Sequence, residues 1–163
     1  MNEQSFTALL VPLSRPAYRL AAAMLHDAAA AEDVVQDASL IAWTKLSKLK
    51  DQTQLRPWFF RIVANECRNA RRKRWFSLVT FGLPPHAATL SGEERWVTRA
   101  DVRRALARLS HEDRLVVSLY FYVDMPVPEI AAVIDSTVDA TRRRLYRAIH
   151  RLRPELEIEE ALR

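Results

Sequence analysis

The residues best suited to chemistry in this sequence lie on one arc of a basic stretch near its middle. Within residues 57–74, apolar side chains recur at helical spacing. The opposite arc carries one indole, two amides and three guanidinium groups, namely Trp58, Arg61, Asn65, Arg68, Asn69 and Arg72. Such groups stack on bases, hydrogen-bond to base edges and neutralise phosphates. The arc therefore favours nucleic-acid binding, and a merely solvated basic face is the alternative.

A second basic group lies near the end of the chain, after a predicted turn. Residues 128–134 read as a short helix that starts at a proline. Ser136 is placed to cap a longer helix that runs from Val138 to about residue 152. A short helix, a tight turn and a longer basic helix are the layout of a helix-turn-helix.

The longer helix is predicted to have two faces of unlike character. Its inward face is apolar and consists of Val138, Leu145, Ala148, Ile149 and Leu152. Its outward face includes Arg143, Tyr146 and Arg147, with Arg144 at their flank. Arginine can pair bidentately with guanine in the major groove, at about 1–3 kcal/mol of discrimination. The face therefore favours DNA binding, and a coiled-coil-like surface helix is the alternative.

Residues 31–46 place large apolar side chains among acidic ones. Read as a helix, this stretch has an inward stripe formed by Val34, Val35, Ala38, Ile41, Ala42 and Leu46. The other face carries Asp33, Gln36, Asp37 and Leu40, with Trp43 at its edge. An apolar patch rimmed by acids is typical of a protein-binding surface. The alternative is a second core contact on a helix that is packed from two sides.

Composition predicts that helices position these groups. Of 163 residues, 49% are hydrophobic, which is enough for a packed core. Both glycines lie within residues 76–96, a segment that has no sustained period. We therefore predict an all-α protein with two small helical domains, residues 1–75 and 97–163, joined by a flexible linker, residues 76–96. The second domain contains the helix-turn-helix.

The first predicted helix contains two prolines. Residues 6–25 have helical spacing, but Pro12 and Pro16 argue against helix in the first half. The linker segment is also uneven, since residues 76–83 are apolar enough to dock against other parts of the protein.

Charge is concentrated in two places along the chain. The net charge is +5, yet residues 56–75 carry +6 and residues 137–153 carry +5, so the remainder is acidic. Two compact basic blocks on an otherwise acidic chain indicate a polyanion that is contacted at two places.

Cysteine and histidine usage argues against disulfide and metal chemistry. Cys67 has no partner for a disulfide within the chain, which fits a reducing compartment. The four histidines lack metal-ligand spacing, so no metal and no cofactor are expected. There is no signal-like N-terminus and no apolar run of about 18 residues. We expect a soluble, cytoplasmic protein with no membrane insertion.

Three motifs, in this order, resemble bacterial RNA polymerase sigma factors of the extracytoplasmic-function (ECF) class. Residues 31–43 look like the core-polymerase-binding motif, with a Glu-Asp pair, a Gln-Asp pair and an aromatic. Residues 58–65 resemble the helix that reads the −10 element, and residues 109–148 resemble the domain that reads the −35 element. The resemblance implies a non-enzymatic subunit that binds core RNA polymerase and directs it to promoters for transcription initiation.

The same resemblance implies roles for individual residues. The residues expected to dock on core RNA polymerase are Asp33, Gln36, Asp37, Leu40 and Trp43. Those expected to hold and read an unpaired −10 base, with the loop at residues 50–55, are Trp58, Arg61, Asn65 and Asn69. Arg68 and Arg72 are expected to bind −10 DNA beside them. Those expected at the −35 duplex are Arg142, Arg143, Arg144, Tyr146 and Arg147. The family also implies an anti-sigma factor as a partner.

The sequence departs from the family pattern just after the turn of the helix-turn-helix. Asp139, Ala140 and Thr141 stand where the family usually has glycine, threonine and valine. This change puts a carboxylate near the expected path of the phosphate backbone. Alternatively, Asp139 serves only its own helix, because the helix dipole favours an acid there.

Two other functions were weighed against the sigma-factor hypothesis. A free-standing helix-turn-helix repressor would leave the acid-rimmed face and the basic arc unexplained. A nuclease with Glu32, Asp33 and Asp37 around a metal would need a further ligand, and Glu32 points away from the other two.

Overall fold

A computed structural model of the chain describes residues 3–81 and 99–156. Within these ranges all regular structure is helical, which confirms the predicted class. The α-helices are α1 (Glu3–Leu25), α2 (Ala28–Lys45), α3 (Leu55–Phe81), α4 (Arg99–Arg108), α5 (His111–Phe121), α6 (Val127–Ile134) and α7 (Val138–Leu156). Short 3₁₀ turns lie at Leu46–Lys48 and Gln52–Gln54. The chain forms two compact units, Met1–Thr89 and Leu90–Arg163.

In the first unit, α1, α2 and α3 all pack against one another. Large side chains fill the centre of this core, with Leu20, Phe59 and Phe60 fully buried. The rings of Phe59 and Phe60 meet edge to face, with centroids 5.8 Å apart. Cys67 is buried in the same core, and burial raises the pKa of its thiol to about 12. The thiol therefore stays protonated and unreactive at neutral pH.

Helix α1 runs without interruption through both of its prolines, so the helical spacing of residues 6–25 predicts it correctly and the prolines do not break its first half. A proline inside a helix leaves the carbonyl four residues earlier without its usual donor. Those carbonyls belong to Ala8 and Pro12, and both residues are exposed, so water can hydrate the orphaned groups.

Helix α2 begins at Ala28, three residues before the predicted start, because Asp27 caps it. The Asp27 carboxylate accepts a hydrogen bond from the backbone N–H of Ala30 at 3.0 Å. His26, just before the cap, has a positive φ of 53° and ends α1. The connection between the two helices is therefore very short, which places α1 and α2 side by side.

Helix α3 is longer than predicted and continues to Phe81, inside the segment expected to be linker. Ser77 and Leu78 are half-buried, so the inward face of the helix persists in these last turns. The remainder of that expected linker, from residue 82 to residue 96, lies outside the described residues.

In the second unit, α7 packs against α4, α5 and α6 around a core that includes Leu115, Leu119 and Ile130. The Ser110 hydroxyl accepts a hydrogen bond from the Asp113 N–H at 3.2 Å and caps α5. The guanidinium of Arg114 donates hydrogen bonds to carbonyl groups at the end of α4.

Arg114 donates hydrogen bonds to carbonyl groups at the C-terminal end of α4 and just beyond it. Its Nε donates to the Leu106 carbonyl at 2.9 Å, and its Nη2 donates to the carbonyls of Ala107 and Leu109 at 3.0 and 3.3 Å. A cation is also favoured at this end of a helix by the helix dipole. Arg114 therefore joins the start of α5 to the end of α4.

The turn between α6 and α7 has the expected helix-turn-helix layout, but a different residue caps it. Asp135 takes the left-handed conformation, with φ 54° and ψ 54°, and ends α6. Thr137, and not Ser136, caps α7, since its Oγ1 accepts from the Ala140 N–H at 3.2 Å. The amide of Ala140 is the third of the helix that starts at Val138, so the hydroxyl three residues earlier reaches it.

The buried face of α7 starts one turn later than predicted. Val138 is exposed, whereas the prediction placed it inward. Thr141 is fully buried, and its hydroxyl donates to the Thr137 carbonyl at 2.8 Å. This bond satisfies the polar group and lets threonine occupy a core position. Leu145, Ala148 and Leu152 are buried as predicted.

We expect Asp135→Gly to stabilise the protein by about 0.5–1 kcal/mol, because the left-handed conformation penalises a residue that has a Cβ atom. Urea unfolding followed by circular dichroism measures the change. Asp135→Val is the matched control and should lower the midpoint, since a branched side chain tolerates this conformation worst. A lower midpoint for the glycine variant would contradict this account of the turn.

Candidate functional site

The five α2 residues expected to face a partner are all exposed. We call Asp33, Gln36, Asp37, Leu40 and Trp43 the α2 patch. Leu40 has 61% of its surface exposed, although the helix buries its opposite face completely at Ala31, Ala38 and Ala42. The alternative of a second core contact therefore does not hold for Leu40. A large aliphatic side chain stands in water here with two carboxylates beside it.

Trp43 is held in place by a ring from another helix. It is 44% exposed, and its indole meets Phe6 of α1 edge to face, with centroids 4.8 Å apart at an angle of 86°. Such a contact limits the rotamers of the indole and leaves part of its surface open. Helical periodicity does not single out Phe6, because its partner lies on a different helix.

On α3, the predicted basic and aromatic arc is formed as expected. We call Trp58, Arg61, Asn65, Arg68, Asn69 and Arg72 the α3 arc. Arg61, Asn65 and Arg72 are exposed, whereas Trp58, Arg68 and Asn69 are half-buried. The buried face of the same helix carries Phe60, Val63 and Cys67, and its packing sets the direction in which the arc points.

Hydrogen bonds link neighbouring members of the α3 arc. Arg68 Nη1 donates to Asn65 Oδ1 at 2.8 Å, and Arg72 Nη2 donates to Asn69 Oδ1 at 3.2 Å. The Asn69 amide nitrogen in turn donates to Glu66 Oε1 at 3.1 Å. These bonds orient both amides before any ligand arrives, which lowers the entropy that binding must remove.

The loop before α3 is ordered by an aspartate. Asp51 Oδ1 accepts from the hydroxyl of Thr53 at 2.6 Å and from its N–H at 2.9 Å. These two hydrogen bonds lower the pKa of Asp51 below its usual value. Such a turn shapes the loop at residues 50–55, which leads directly into the α3 arc.

On α7, four side chains line one shallow depression of about 480 Å³. They are Arg142, Arg143, Tyr146 and Arg147. Tyr146 is 67% exposed, and the three arginines are exposed as well. Arg142 Nη1 lies 3.1 Å from Asp139 Oδ1, so that carboxylate holds an arginine of its own helix. The depression presents guanidinium groups around one phenol ring, which suits DNA edges and phosphates.

Arg144 faces a different way from these four residues. It forms ion pairs with Asp113 at 3.7 Å and with Glu112 at 4.0 Å, both on α5. Arg151 Nη1 also donates to Asp113 Oδ2, at 3.0 Å. Asp113 thus links α5 to two arginines that lie seven residues apart on α7. Residues seven apart lie on one face of a helix, so a single carboxylate of α5 can contact both.

The described residues contain neither a group of metal-binding side chains nor a helix that could span a membrane. In the part of the chain that the structure describes, no three or more His, Cys, Asp and Glu side chains are grouped so that they could hold a metal ion. Among the helices of residues 3–81 and 99–156, none combines the length and apolar character needed to cross a membrane.

Comparison with known proteins identifies the family. A family model described as Sigma-70 region 2 matches residues 9–77, and one described as Sigma-70, region 4 matches residues 105–154. The ECF RNA polymerase sigma factor SigL of Mycobacterium tuberculosis is 30% identical over 145 residues, which are 86% of this chain and 82% of that protein. The chain belongs to the ECF sigma factors. It binds core RNA polymerase and directs it to promoters for transcription initiation, and a free-standing repressor is not favoured.

Solved structures of sigma factors have the same fold. The sigma factor RpoE, in a complex with the anti-sigma factor NepR from Bartonella quintana, matches with a TM-score of 0.84 and 24% identity. That match covers 96% of this chain and 99% of RpoE. CnrH, in a complex with the cytosolic domain of CnrY, matches with a TM-score of 0.74 and 26% identity over 98% of this chain and 92% of CnrH.

Substitutions of Arg147 and Arg144 should have different effects, because the two side chains lie on different sides of α7. Arg147→Ala is expected to relax the base preference of the sigma factor for −35 duplexes, with a loss of about 1–3 kcal/mol on the preferred sequence. Arg144→Ala should leave that preference unchanged and lower stability instead. Selection from a random duplex library by the polymerase holoenzyme, with urea unfolding in parallel, separates the two effects. An equal loss on every sequence for Arg147→Ala would mean that Arg147 contacts only phosphates.

Proposed function

We propose that the α2 patch is the surface through which this sigma factor docks on core RNA polymerase. The assignment rests above all on Leu40, which is a large apolar side chain at 61% exposure on the face of α2 that does not pack. A partner that covers Leu40 and the exposed part of Trp43 gains apolar burial. The flanking carboxylates of Asp33 and Asp37 would select a basic partner surface.

We also propose that the two basic surfaces divide promoter recognition between them. The α3 arc, with the loop at residues 50–55, would hold and read an unpaired −10 base, since its amides are already oriented by neighbouring arginines. Arg142, Arg143, Tyr146 and Arg147 would contact the −35 duplex. Arg144 would not contact DNA. It would instead hold α7 in position through its ion pair with Asp113 of α5.

The domain division is part of the same proposal. A −10 domain near residues 1–75 and a −35 domain near residues 97–163 would be joined by a linker, and α3 carries helix six residues into that linker, to Phe81. Separate domains let one chain contact two promoter elements at once.

An anti-sigma factor is proposed as a further partner, in the cytoplasm. RpoE was solved in a complex with the anti-sigma factor NepR, and CnrH in a complex with the cytosolic domain of CnrY. A regulator that covers the α2 patch would compete with core RNA polymerase for the same apolar residues. The sigma factor itself would act without a catalytic site.

Reconstituted transcription tests the proposed function. Core RNA polymerase of the source organism, mixed with the full chain and a random promoter library, should produce run-off transcripts that share −10 and −35 sequences. Core polymerase alone is the control. Tight, specific duplex binding by the isolated chain, with no transcript from the mixture, would instead support a free-standing repressor.

The double variant Asp37→Ala/Leu40→Ala should weaken binding to core polymerase by at least about tenfold, because it removes an apolar anchor and one acid of its rim. Its unfolding free energy should change by less than about 0.5 kcal/mol, since both residues are exposed. A pull-down at graded polymerase concentrations measures the affinity.

Val11→Ala is the matched control, because Val11 is a similarly exposed aliphatic residue on α1. It should bind core polymerase as the unmodified chain does. Unchanged affinity of the double variant would remove the α2 patch from the docking surface.

A further inference from the structure

The last two turns of α3 expose large apolar side chains that no proposed role includes. Trp75 and Phe76 are each 64% exposed, and Val79 is 65% exposed. Two large rings are exposed together here, although Ser77 and Leu78 on the other side of the same turns are half-buried. We therefore expect these exposed apolar side chains to bind a ligand.

This exposed group continues the α3 arc along the same side of the helix. At about 100° per residue, Phe76 and Val79 fall within the angular range of the whole α3 arc, and Trp75 lies about 20° beyond its edge. Phe76 follows Arg72 by one turn. From Trp58 to Val79 the combined surface is roughly 30 Å long, from the helical rise per residue.

The charge around the two rings fits a polyanion. Residues 68–81 contain five cationic side chains and no acidic one. Arg71, Arg72 and Lys73 are exposed next to the rings. Arg74 lies on the opposite side of the helix and reaches the Asp27 carboxylate at 4.0 Å, which ties the end of α3 to the start of α2. The rings therefore stand on an anchored part of the helix.

We propose that Trp75 and Phe76 are a stacking platform for unpaired bases of the DNA strand whose −10 base is read by the α3 arc. Exposed rings beside a track of cations are how proteins bind single-stranded DNA without strong sequence preference. Five cations without an acid in residues 68–81 favour a polyanion over a protein surface of mixed charge. The proposal extends the proposed function, since it adds neighbouring bases to the one read by the arc.

Such a platform would act on the open promoter rather than on sequence choice. Every base has a π-face, so stacking on Trp75 and Phe76 tolerates any sequence. Each stacked base offsets part of the cost of unpairing, and it does so only after the duplex has opened. The platform would therefore stabilise the melted state without changing which promoter is chosen.

Two double variants of the full chain separate stacking from general apolar contact. Trp75→Leu/Phe76→Leu keeps apolar side chains but removes the π-faces, whereas Trp75→Phe/Phe76→Tyr keeps both rings. The probe is a single-stranded oligonucleotide of random sequence, with the matching duplex as control, and fluorescence anisotropy at low salt gives both affinities. Urea unfolding confirms that each variant is folded.

We expect the leucine pair to bind the single strand at least about tenfold more weakly, and the aromatic pair to remain within about twofold of the unmodified chain. Duplex affinity should not change. Equal binding by the leucine pair and the unmodified chain would overturn the platform. An equal loss of duplex binding by the leucine pair would also overturn the platform. So would a leucine pair that still binds the single strand but has lost its binding to core polymerase or to anionic lipid vesicles.

This assay does not need polymerase, so it is independent of the transcription test. Absence of transcripts with core polymerase would count against the proposed function and leave the single-strand result standing. Conversely, normal transcription together with unchanged single-strand binding by the leucine pair would contradict the stacking platform and leave the proposed function intact. With the holoenzyme, a promoter fork with an unpaired non-template strand should show the same order of affinities.

Discussion

Close contact through alanine determines how the first unit presents its surfaces. Ala31, Ala38 and Ala42 of α2 have no exposed surface, and neither do Ala17 and Ala21 of α1. Small side chains let two helices approach closely, so the rotation of α2 about its own axis is tightly constrained. Once these alanines face inward, Asp37 and Leu40 have to face outward. The α2 patch is thus a consequence of packing on the other side of the helix.

The same constraint operates on α3, which has a buried apolar face and an exposed cationic face. Phe59, Phe60 and Val63 fill the core, and their burial supplies the stability that an arginine-rich helix could not supply by itself. The cationic face can then be specialised for a polyanion. Hydrogen bonds between arginines and amides on that face restrain the side chains that the core leaves in water.

In the second unit, polar groups connect the helices that hold α7. Arg114 closes the end of α4, and Asp113 contacts both Arg144 and Arg151 on α7. Asp113 is also the residue whose N–H is capped by Ser110. The first turn of α5 therefore holds the C-terminal end of α4, is itself capped by Ser110, and orients α7. Exposed ion pairs add little stability individually, but this group shares one partly buried carboxylate.

Sequence alone determined the helical class, the order of the three motifs and most residues of each exposed face, because helical periodicity divides apolar from polar positions within one element. Tertiary structure decided what depends on a neighbour in space. Arg144 turns toward α5, Phe6 supports Trp43, and α3 continues to Phe81. Periodicity reports only which side of a helix is apolar, whereas a cap, an ion pair or an edge-to-face ring contact depends on which side chain of another element lies within reach.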